Sequence, residues 1–265
     1  MFAVTTRNKL NSSRFAPHMI RAWFRVRRQL YETRGMIRYS TGISNLTEFY
    51  TITLWQNEMD MFAFMSSDAH RDMMWNFSKW SDSFWAMRWD ASTDEVGAWA
   101  TSPNFIDKGF HEQFDVSHGK SGQITQNPVR DWLIEKGISK ELEISEDNAD
   151  QAEGIPGTAA VLARIPAKSL LKYYKILNKL HSFRTSTGII KFSTCVGLGE
   201  CIVIAILDAG ALEESRRLML MLEKYFPDTW AMRFKGHDYE VGHWDGLRLR
   251  EILLPDTREG IANII

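Results

Sequence analysis

The chain has 265 residues, of which 44% are hydrophobic, and its formal net charge is −1. This length fits one large domain or two small ones, since a domain usually has about 100–200 residues. A net charge close to zero gives no indication of nucleic acid or of an anionic membrane as a partner. The sequence contains no run of about 18 consecutive apolar residues, so we expect no membrane span.

One stretch in the first half of the chain recurs in the second half. Residues 85–99 begin with WAMR and end with EVGAW, and residues 230–244 begin with WAMR and end with EVGHW, without a gap in either. Upstream, residues 35–41 match residues 188–194 in the same order. Two matching blocks in the same order predict that one unit of about 95 residues is duplicated.

Each copy is predicted to contain four strands and two helices in the order βαββαβ, which is that of a ferredoxin-like unit. Alternating and β-branched residues predict the strands, at 2–6, 36–41, 46–55, 83–90, 158–165, 189–194, 201–207 and 229–234. Apolar residues at helical spacing predict the helices, at 15–30, 57–78, 167–183 and 211–225. In the third of these we expect Leu170, Leu171, Tyr174, Leu177 and Leu180 to face inward.

These elements divide the chain into four parts. Residues 1–99 form the first ferredoxin-like repeat and residues 157–245 the second. Residues 100–156 are a connector with loop signals and an acidic segment, and residues 246–265 form an amphipathic tail. A single unit of this kind leaves one sheet face open, so we predict an α+β fold in which the two repeats face each other as an intramolecular dimeric α/β barrel.

The N-terminal segment is basic, with seven Lys or Arg residues and no acidic residue up to Tyr31. This composition resembles a transit peptide. The same segment, however, supplies the first strand and helix of the first repeat, so we expect a cytoplasmic protein. The two cysteines, Cys195 and Cys201, are expected to be reduced, buried thiols rather than a disulfide or a metal site.

A family resemblance rests on the second predicted helix. Residues 62–74, FAFMSSDAHRDMM, resemble the second helix of antibiotic-biosynthesis-monooxygenase-like domains, which often carry a Ser-x-x-His pattern after an aromatic residue. These domains belong to the dimeric α/β-barrel superfamily. The superfamily includes cofactor-independent oxygenases, haem-degrading and haem peroxidase-type enzymes, and proteins without known catalysis. The resemblance therefore implies a monooxygenase-like oxidoreductase with haem or with no cofactor.

The candidate site residues lie in the first repeat. His70 is the leading one, because a near-neutral imidazole suits a general base and also suits iron as a haem ligand. Ser66 lies beside it on the helix, and the resemblance implies that polar groups of this kind position a substrate. Arg38 and Arg88 could anchor carboxylates, either of an acidic substrate or of haem.

The repeat also supports a structural interpretation of the basic residues. Lys191 and Arg233 match Arg38 and Arg88 in the second repeat, which favours salt bridges, for example to Glu95 and Glu240. Trp85 and Trp230 are expected in the core. The position of His70 is taken by Ser215 in the second repeat, so we predict one working site, in the first repeat. His181 and His243 are weaker candidates.

Ten Trp, twelve Met and fifteen Phe residues indicate either an aromatic core or an apolar ligand cavity. The leading hypothesis is oxidation of a bulky apolar or aromatic small molecule held in a cleft between helix and sheet of the first repeat. The alternatives are a non-catalytic binding or interaction protein and a non-redox enzyme, such as a dehydratase or cyclase. The chain is expected to be a monomeric pseudo-dimer or a homodimer.

Overall fold

The computed structural model describes residues 1–33, 35–66, 68–97, 99, 158–185, 188–208, 210–245 and 249. Within these residues the fold is mixed α+β. In the first half the elements are β1 (Phe2–Leu10), α1 (Ala16–Glu32), β2 (Met36–Asn45), β3 (Glu48–Trp55), α2 (Glu58–Ser66), α3 (Asp68–Trp80) and β4 (Ser81–Val96). In the second they are β5 (Thr158–Pro166), α4 (Leu170–His181), β6 (Ile189–Val196), β7 (Glu200–Asp208), α5 (Leu212–Tyr225) and β8 (Trp230–Gly242).

The eight strands form one closed antiparallel ring in the order β1-β3-β2-β6-β7-β5-β8-β4. Each half contributes four consecutive strands in the same internal order, since β4-β1-β3-β2 corresponds to β8-β5-β7-β6. The halves meet at two places, β4 with β8 and β2 with β6. The ring therefore has an inside, which both halves share, and two outer faces, one for each half.

The two places where the halves meet differ in extent. Strands β4 and β8 pair along most of their length, and near the middle of this pairing Asp90 lies opposite Lys235. Strands β2 and β6 are joined through one register pair, Ile43 with Val196. Fewer paired residues therefore close the ring between β2 and β6 than between β4 and β8.

The inside of the ring is filled by large side chains. Trp85, Trp89 and Trp230 are fully buried there, together with aliphatic residues of β3, β5 and β7. The indole N–H groups find hydrogen-bond acceptors: Nε1 of Trp89, for example, donates to the Thr5 hydroxyl at 2.8 Å. Buried indole N–H groups need such acceptors, and the inside of the ring provides them. The expected core positions of Trp85 and Trp230 are thus confirmed.

The helices cover the outer faces of the sheet. In the first half α1 packs through Met19, Ala22, Val26 and Leu30, and α3 through Met73 and Phe77. In the second half α4 and α5 pack on β5 and β7 through Ile176, Leu180, Leu218, Met219 and Leu222. Spacings of three and four residues place these side chains on one stripe of each helix.

Local sequence explains several of the boundaries. Pro17 lies in the first turn of α1, where its missing N–H costs no hydrogen bond. The Ser169 hydroxyl caps α4 by accepting from the backbone N–H of Lys172 at 3.3 Å. Between β2 and β3 the Asn45 side chain accepts from the backbone N–H groups of Thr47 and Glu48, which fixes the hairpin turn.

Several predicted details differ from the structure. The helix expected over 57–78 is two helices, α2 and α3. Leu170, Leu171, Tyr174 and Leu177, expected to face inward, are exposed by 87%, 63%, 66% and 41%, and of the predicted set only Leu180 is buried. The apolar residues of α4 fit two stripes, and the stripe with Ile176 and Leu180 faces the sheet.

Some predictions fall where the chain is not described. The connector, with its acidic segment, lies outside the described residues, and so does the C-terminal tail apart from Leu249. The described helices include none with the length and apolar character needed to cross a bilayer.

Candidate functional site

A cavity of about 780 Å³ lies mainly in the first half, between the outer face of its sheet and the helices α1, α2 and α3, and residues 196–198, Glu200, Tyr239 and Val241 of the second half also line it. Its walls are mostly apolar. Five methionines contribute, namely Met19, Met61, Met65, Met73 and Met74. Aromatic rings line it as well, including Trp23, Phe49, Trp55, Phe64 and Phe84. Flexible thioethers beside flat rings adapt to a bulky apolar ligand.

The opening of the cavity is also apolar. Ile20 and Phe24 of α1, Leu46 of the β2–β3 hairpin and Leu198 of the β6–β7 hairpin line the cavity and are 45%, 54%, 71% and 85% exposed. Lining residues that are this exposed mark the place where the cavity meets solvent. An apolar entrance favours entry of apolar molecules over small polar ones.

His70 lies on the cavity wall at the start of α3. Its Nδ1 is 3.0 Å from the carbonyl oxygen of Met65, and its ring contacts Phe64 in a tilted arrangement with 4.6 Å between the ring centres. Since a carbonyl only accepts, Nδ1 carries the proton and Nε2 of the neutral ring has a free lone pair. Burial lowers the pKa of His70, while the hydrogen bond to Met65 opposes this shift in part.

The position of His70 is fixed from its backbone as well as from its ring. Its backbone N–H donates to the side-chain oxygen of Gln29 in α1 at 2.8 Å, and the side-chain nitrogen of Gln29 donates to the carbonyl of Phe64 at 3.2 Å. Gln29 therefore connects α1 with both helices that follow β3. This arrangement holds the imidazole at a defined place on the wall.

Ser66, predicted as a catalytic partner of His70, does not line the cavity. It is exposed at the end of α2, and its hydroxyl donates to the carbonyls of Phe62 and Ala63 in the same helix. Serine commonly makes such bonds to the preceding turn. The structure thus separates the two residues that the helical pattern placed side by side.

Arg38 is buried and lines the part of the cavity that reaches the inside of the ring. Its guanidinium lies 3.7 Å from Glu95 and 5.9 Å from the ring centres of Trp99 and Trp230. Burial lowers the pKa of Arg38 to about 10, although Glu95 opposes the shift. Of the salt bridges predicted to Glu95 and Glu240 for the repeated basic residues, that to Glu95 is confirmed, whereas Lys191, the counterpart of Arg38, lies 3.7 Å from Asp245.

Arg88, predicted to anchor a cofactor carboxylate, lies outside the cavity lining. It pairs with Glu58 and lies 3.5 Å from Asp90, with its guanidinium over the ring of Phe2 at 4.3 Å. Its counterpart Arg233 pairs with Asp94 at 2.7 Å. Both arginines already have carboxylate partners within the chain, which agrees with the structural interpretation of the repeat.

A third arginine forms the main polar feature of the cavity. Arg27 of α1 donates from Nε to the hydroxyl of Tyr39 at 2.7 Å and from Nη2 to the hydroxyl of Tyr31 at 3.0 Å, and all three residues line the cavity. This cluster was not predicted from the sequence. The spacing of Arg27 and Tyr31, four residues apart on one helix face, was the available signal.

Comparisons with known proteins give structural neighbours at low identity. No family model matches the chain, and no curated protein matches it. The chain is similar to two solved structures each named "putative monooxygenase". That from Lactobacillus acidophilus has 7% identity, a TM-score of 0.33 and coverage of 91% of this chain and 98% of the other. That from Fusobacterium nucleatum has 8% identity and a TM-score of 0.31, and the match covers 91% of this chain and 96% of the other. An anthrone oxidase-like protein has 10% identity and a TM-score of 0.31, and the match covers 91% of this chain and 92% of the other.

The weaker candidates lie away from the cavity. His181 is exposed at the end of α4, and His243 is exposed after β8. Neither lines the cavity. In the described part of the chain no three His, Cys, Asp or Glu side chains are grouped in a way that could hold a metal ion.

The two cysteines are free, buried thiols, as expected. Cys195 belongs to the cluster inside the ring, whereas Cys201 belongs to the cluster under α4 and α5, on the opposite face of the sheet. Burial raises the pKa of each thiol to about 12. Neither group is therefore suited to act as a nucleophile at neutral pH.

Proposed function

We propose that this chain is a monooxygenase-like oxidoreductase that binds a bulky apolar or aromatic molecule in the cavity of its first half, with His70 as general base. The observation that carries the proposal is the state of the imidazole. A hydrogen bond from Nδ1 to the Met65 carbonyl leaves Nε2 unprotonated on the wall of an apolar cavity. The lowered pKa keeps the ring neutral, and thus able to accept a proton, near pH 7.

The chemistry follows from a base in an apolar cavity. His70 would take a proton from an acidic C–H of an electron-rich aromatic substrate, and the electron pair of that bond would remain on the substrate as an anion. Molecular oxygen would then oxidise the anion, with one oxygen atom bonded to the carbon and the other leaving as water. For a CH₂ group the balance is R₂CH₂ + O₂ → R₂C=O + H₂O, in which the carbon is oxidised and O₂ is reduced.

The walls contribute to this reaction by excluding water. Methionine and aromatic side chains surround most of the cavity, so a bound anion meets few competing proton donors. The ring of Phe64 lies against the imidazole of His70 and limits its rotation. A fixed base at a defined distance from the substrate gives most of the advantage that positioning provides.

Haem is the cofactor that the family resemblance allows, and the residues fit it in part. Nε2 of His70 could ligate iron, and ligating imidazoles commonly donate their other N–H to a carbonyl, as His70 does to Met65. A haem held there would supply an iron centre for oxygen chemistry. Arg88 does not fit as a propionate partner, because it pairs with Glu58 outside the cavity.

The architecture supports a duplicated origin for the site. In the repeat, Ala86 of β4 corresponds to Ala231 of β8, and Val96 corresponds to Val241. The pairing of the two strands is symmetric in these residues, because Ala86 faces Val241 and Val96 faces Ala231. We infer two tandem ferredoxin-like units that face each other as an intramolecular α/β barrel. On this view the first unit kept or gained a cavity.

The proposal is tested by oxygen consumption with anthrone, whose CH₂ group is an acidic aromatic carbon acid. The wild-type chain should accelerate oxygen uptake and anthraquinone formation above the rate without protein. His70→Gln should reduce the accelerated rate about 100-fold or more, as loss of a general base does. His18→Gln is the matched control, because His18 is exposed on α1 and outside the cavity lining.

Two results would contradict the proposal. Equal rates for wild type and His70→Gln would exclude His70 as the base. Anthrone bound with no accelerated uptake of oxygen would favour the second candidate, a binding protein without catalysis, which the size and apolar character of the cavity also support. A Soret band after haem addition that is lost in His70→Ala would instead assign the residue to haem.

A further inference from the structure

The cluster of Arg27, Tyr31 and Tyr39 carries a positive charge on a mostly apolar wall, and Glu200, which also lines the cavity, is itself paired with Arg164 at 2.7 Å. Arg27 and Tyr31 come from α1, and Tyr39 comes from β2. Arg27 is half-buried, and its guanidinium donates hydrogen bonds to the two phenol hydroxyls. Neutral hydroxyls orient a guanidinium but do not neutralise it.

Arg27 differs in this respect from the other arginines near the cavity. Among the described residues Arg38, Arg88 and Arg164 each have a carboxylate within ion-pair distance, whereas no described carboxylate lies within 4 Å of Arg27. A partly desolvated charge without a counter-ion costs free energy. A ligand that brings an anionic oxygen into the cavity would recover that cost.

The phenols respond to this charge. Burial raises the pKa of Tyr31, but hydrogen bonds from Tyr39 and Arg27 outweigh it and lower the pKa below its ordinary value. For Tyr39, burial is the larger effect and raises the pKa. A phenol hydroxyl that accepts from a guanidinium keeps its own O–H as a donor, so the cluster can also donate to an anion beside Arg27.

The cluster also provides flat surfaces. The rings of Tyr31 and Tyr39 meet edge to face at 5.3 Å, and Trp23 meets Tyr39 in the same way at 6.3 Å. The guanidinium of Arg27 lies over the same two rings, 5.6 Å from the centre of Tyr31 and 5.9 Å from that of Tyr39. A positive charge held among aromatic rings matches an aromatic ligand that carries its negative oxygen on or next to the ring.

We propose that Arg27, with the hydroxyls of Tyr31 and Tyr39, binds an anionic oxygen of an aromatic ligand in the cavity. This inference rests on the proposed function and deepens it, since it assigns the substrate class: an aromatic acid, or a phenol or enol that is ionised when bound. The same subsite would stabilise the anion that forms when His70 removes a proton, because charge would spread from carbon to oxygen.

At the matching position of the second half, the described residues lack one polar group of this subsite. In the matching blocks 35–41 and 188–194, Tyr39 corresponds to Phe192, which lacks the hydroxyl and packs on the apolar cluster under α4 and α5. Such a replacement removes the polar partner of an arginine. The hydrogen bond between Tyr39 and Arg27 is thus not repeated at the matching position of the second half.

The experiment compares two fluorescent probes that differ by one charged group. The probe 8-anilinonaphthalene-1-sulfonate carries a sulfonate, and N-phenyl-1-naphthylamine has the same aromatic skeleton without it. The wild-type chain should bind the anionic probe at least about tenfold more tightly than the neutral one. Arg27→Gln should weaken the anionic probe by about tenfold and change the neutral probe less than twofold.

Control variants separate charge from structure. Arg25→Gln removes an exposed arginine of the same helix that does not line the cavity and should leave both probes unchanged. Arg27→Lys keeps the charge and should retain most of the preference even if Arg27→Gln folds poorly. Tyr39→Phe should weaken the anionic probe by about threefold, the size of one lost hydrogen bond.

The outcomes distinguish this inference from the proposed function. If the neutral probe binds and Arg27→Gln affects both probes alike or neither, the anionic subsite is wrong and the apolar cavity stands. If Arg27→Lys loses the preference as completely as Arg27→Gln, or Arg25→Gln loses it too, the subsite is also wrong. If neither probe binds to the wild-type chain, the cavity does not bind aromatic molecules and both proposals fail.

Discussion

The indole Nε1 of Trp85 donates a hydrogen bond of 2.7 Å to Glu240 across the boundary between the two halves. The reverse contact is also present, since Nε1 of Trp230 donates to Glu95 at 2.5 Å. Each tryptophan begins a WAMR block, and each glutamate begins the EVG sequence of the other half. The repeated residues are thus the ones that join the halves, which gives their repetition a structural reason.

A substitution at Glu95 measures how much the boundary between the two halves contributes to the free energy of unfolding. Its carboxylate accepts from Trp230 and pairs with Arg38, and all three residues are buried. Glu95→Ala leaves a buried guanidinium without its carboxylate, so we expect a loss of about 3–5 kcal/mol in the free energy of unfolding. Urea denaturation measures it. Glu32→Ala, which removes only the exposed pair with Arg28, should cost less than about 0.5 kcal/mol. Equal effects would contradict the prediction.

Two glycines at the same boundary allow a second test. Gly97 and Gly242 have φ of 67° and 75°, and a Cβ on either would overlap the carbonyl oxygen of Thr229 or Phe84 in the facing strand. Gly199 has φ of 80° and nothing within 4 Å of an added Cβ. Its substitution by alanine therefore isolates the backbone cost, about 1–2 kcal/mol.

Gly97→Ala and Gly242→Ala should each destabilise the chain by clearly more than Gly199→Ala, because they add a collision with backbone to the same conformational cost. Thermal or urea denaturation of the three variants provides the comparison. Three equal shifts would mean that β4 and β8 can separate to accept a methyl group, and that their pairing is looser than the register indicates.

Repetition and periodicity predicted much of the fold. The two blocks at 85–99 and 230–244 placed Trp85 and Trp230 in the core, and alternation located all eight strands, although β4 and β8 extend further than expected. Periodicity was less reliable for α4, because several of its leucines are exposed. A helix with apolar residues on two stripes does not reveal which stripe faces the sheet.

The candidate site could be predicted only in part. The sequence placed His70 on a helix beside the sheet, and the structure puts it on the cavity wall. The partners differed: Ser66 bonds within its own helix, and Arg27 lines the cavity instead of Arg88. Helical spacing gives the neighbours on one helix, whereas Tyr39 reaches Arg27 from a strand, a contact that depends on tertiary packing.

The lowered pKa of His70 predicts how stability depends on pH. Burial places the folded-state pKa below the value of about 6.5 expected in the unfolded chain. As the pH falls below about 6.5, the unfolded state takes up the proton first, so the free energy of unfolding decreases until the folded-state pKa is passed. Above about pH 6.5 His70 is neutral in both states, so its titration no longer lowers the free energy of unfolding.

His70→Gln removes the titrating group and should flatten this dependence between pH 7.5 and 5. Urea denaturation of both proteins at several pH values measures the difference. The exposed His18 provides the control, since His18→Gln should keep the wild-type slope. A steeper loss of stability in His70→Gln than in wild type would show that the sign of the shift is opposite.

The thiols should not react while the chain is folded. Both pKa values are raised to about 12 by burial, so the thiolate fraction at pH 8 is negligible. We expect almost no colour with a thiol-reactive disulfide reagent in buffer and two equivalents per chain in denaturant. Ser44→Cys, on the exposed hairpin, should add one reactive thiol. Fast reaction of the native wild-type chain would contradict the burial of Cys195 or Cys201.

The asymmetry between the halves can be tested at one matched pair of residues. Ala86 lines the cavity, whereas Ala231, its counterpart in the repeat, packs in the dense cluster under α4 and α5. Ala86→Phe has space for the added ring, so we expect a change of less than about 1 kcal/mol in stability and a strong loss of N-phenyl-1-naphthylamine binding. Ala231→Phe should cost about 1–3 kcal/mol or more, because its surroundings are close-packed.

The stoichiometry completes this test. Wild-type chain should bind about one neutral probe, since the cavity lies in the first half, and residual binding in Ala86→Phe should be weak. Equal destabilisation by the two substitutions would mean that the first half is as tightly packed as the second. Two equal probe sites per chain would show that the second half also opens a cavity, and the specialisation of the first half would then have to be abandoned.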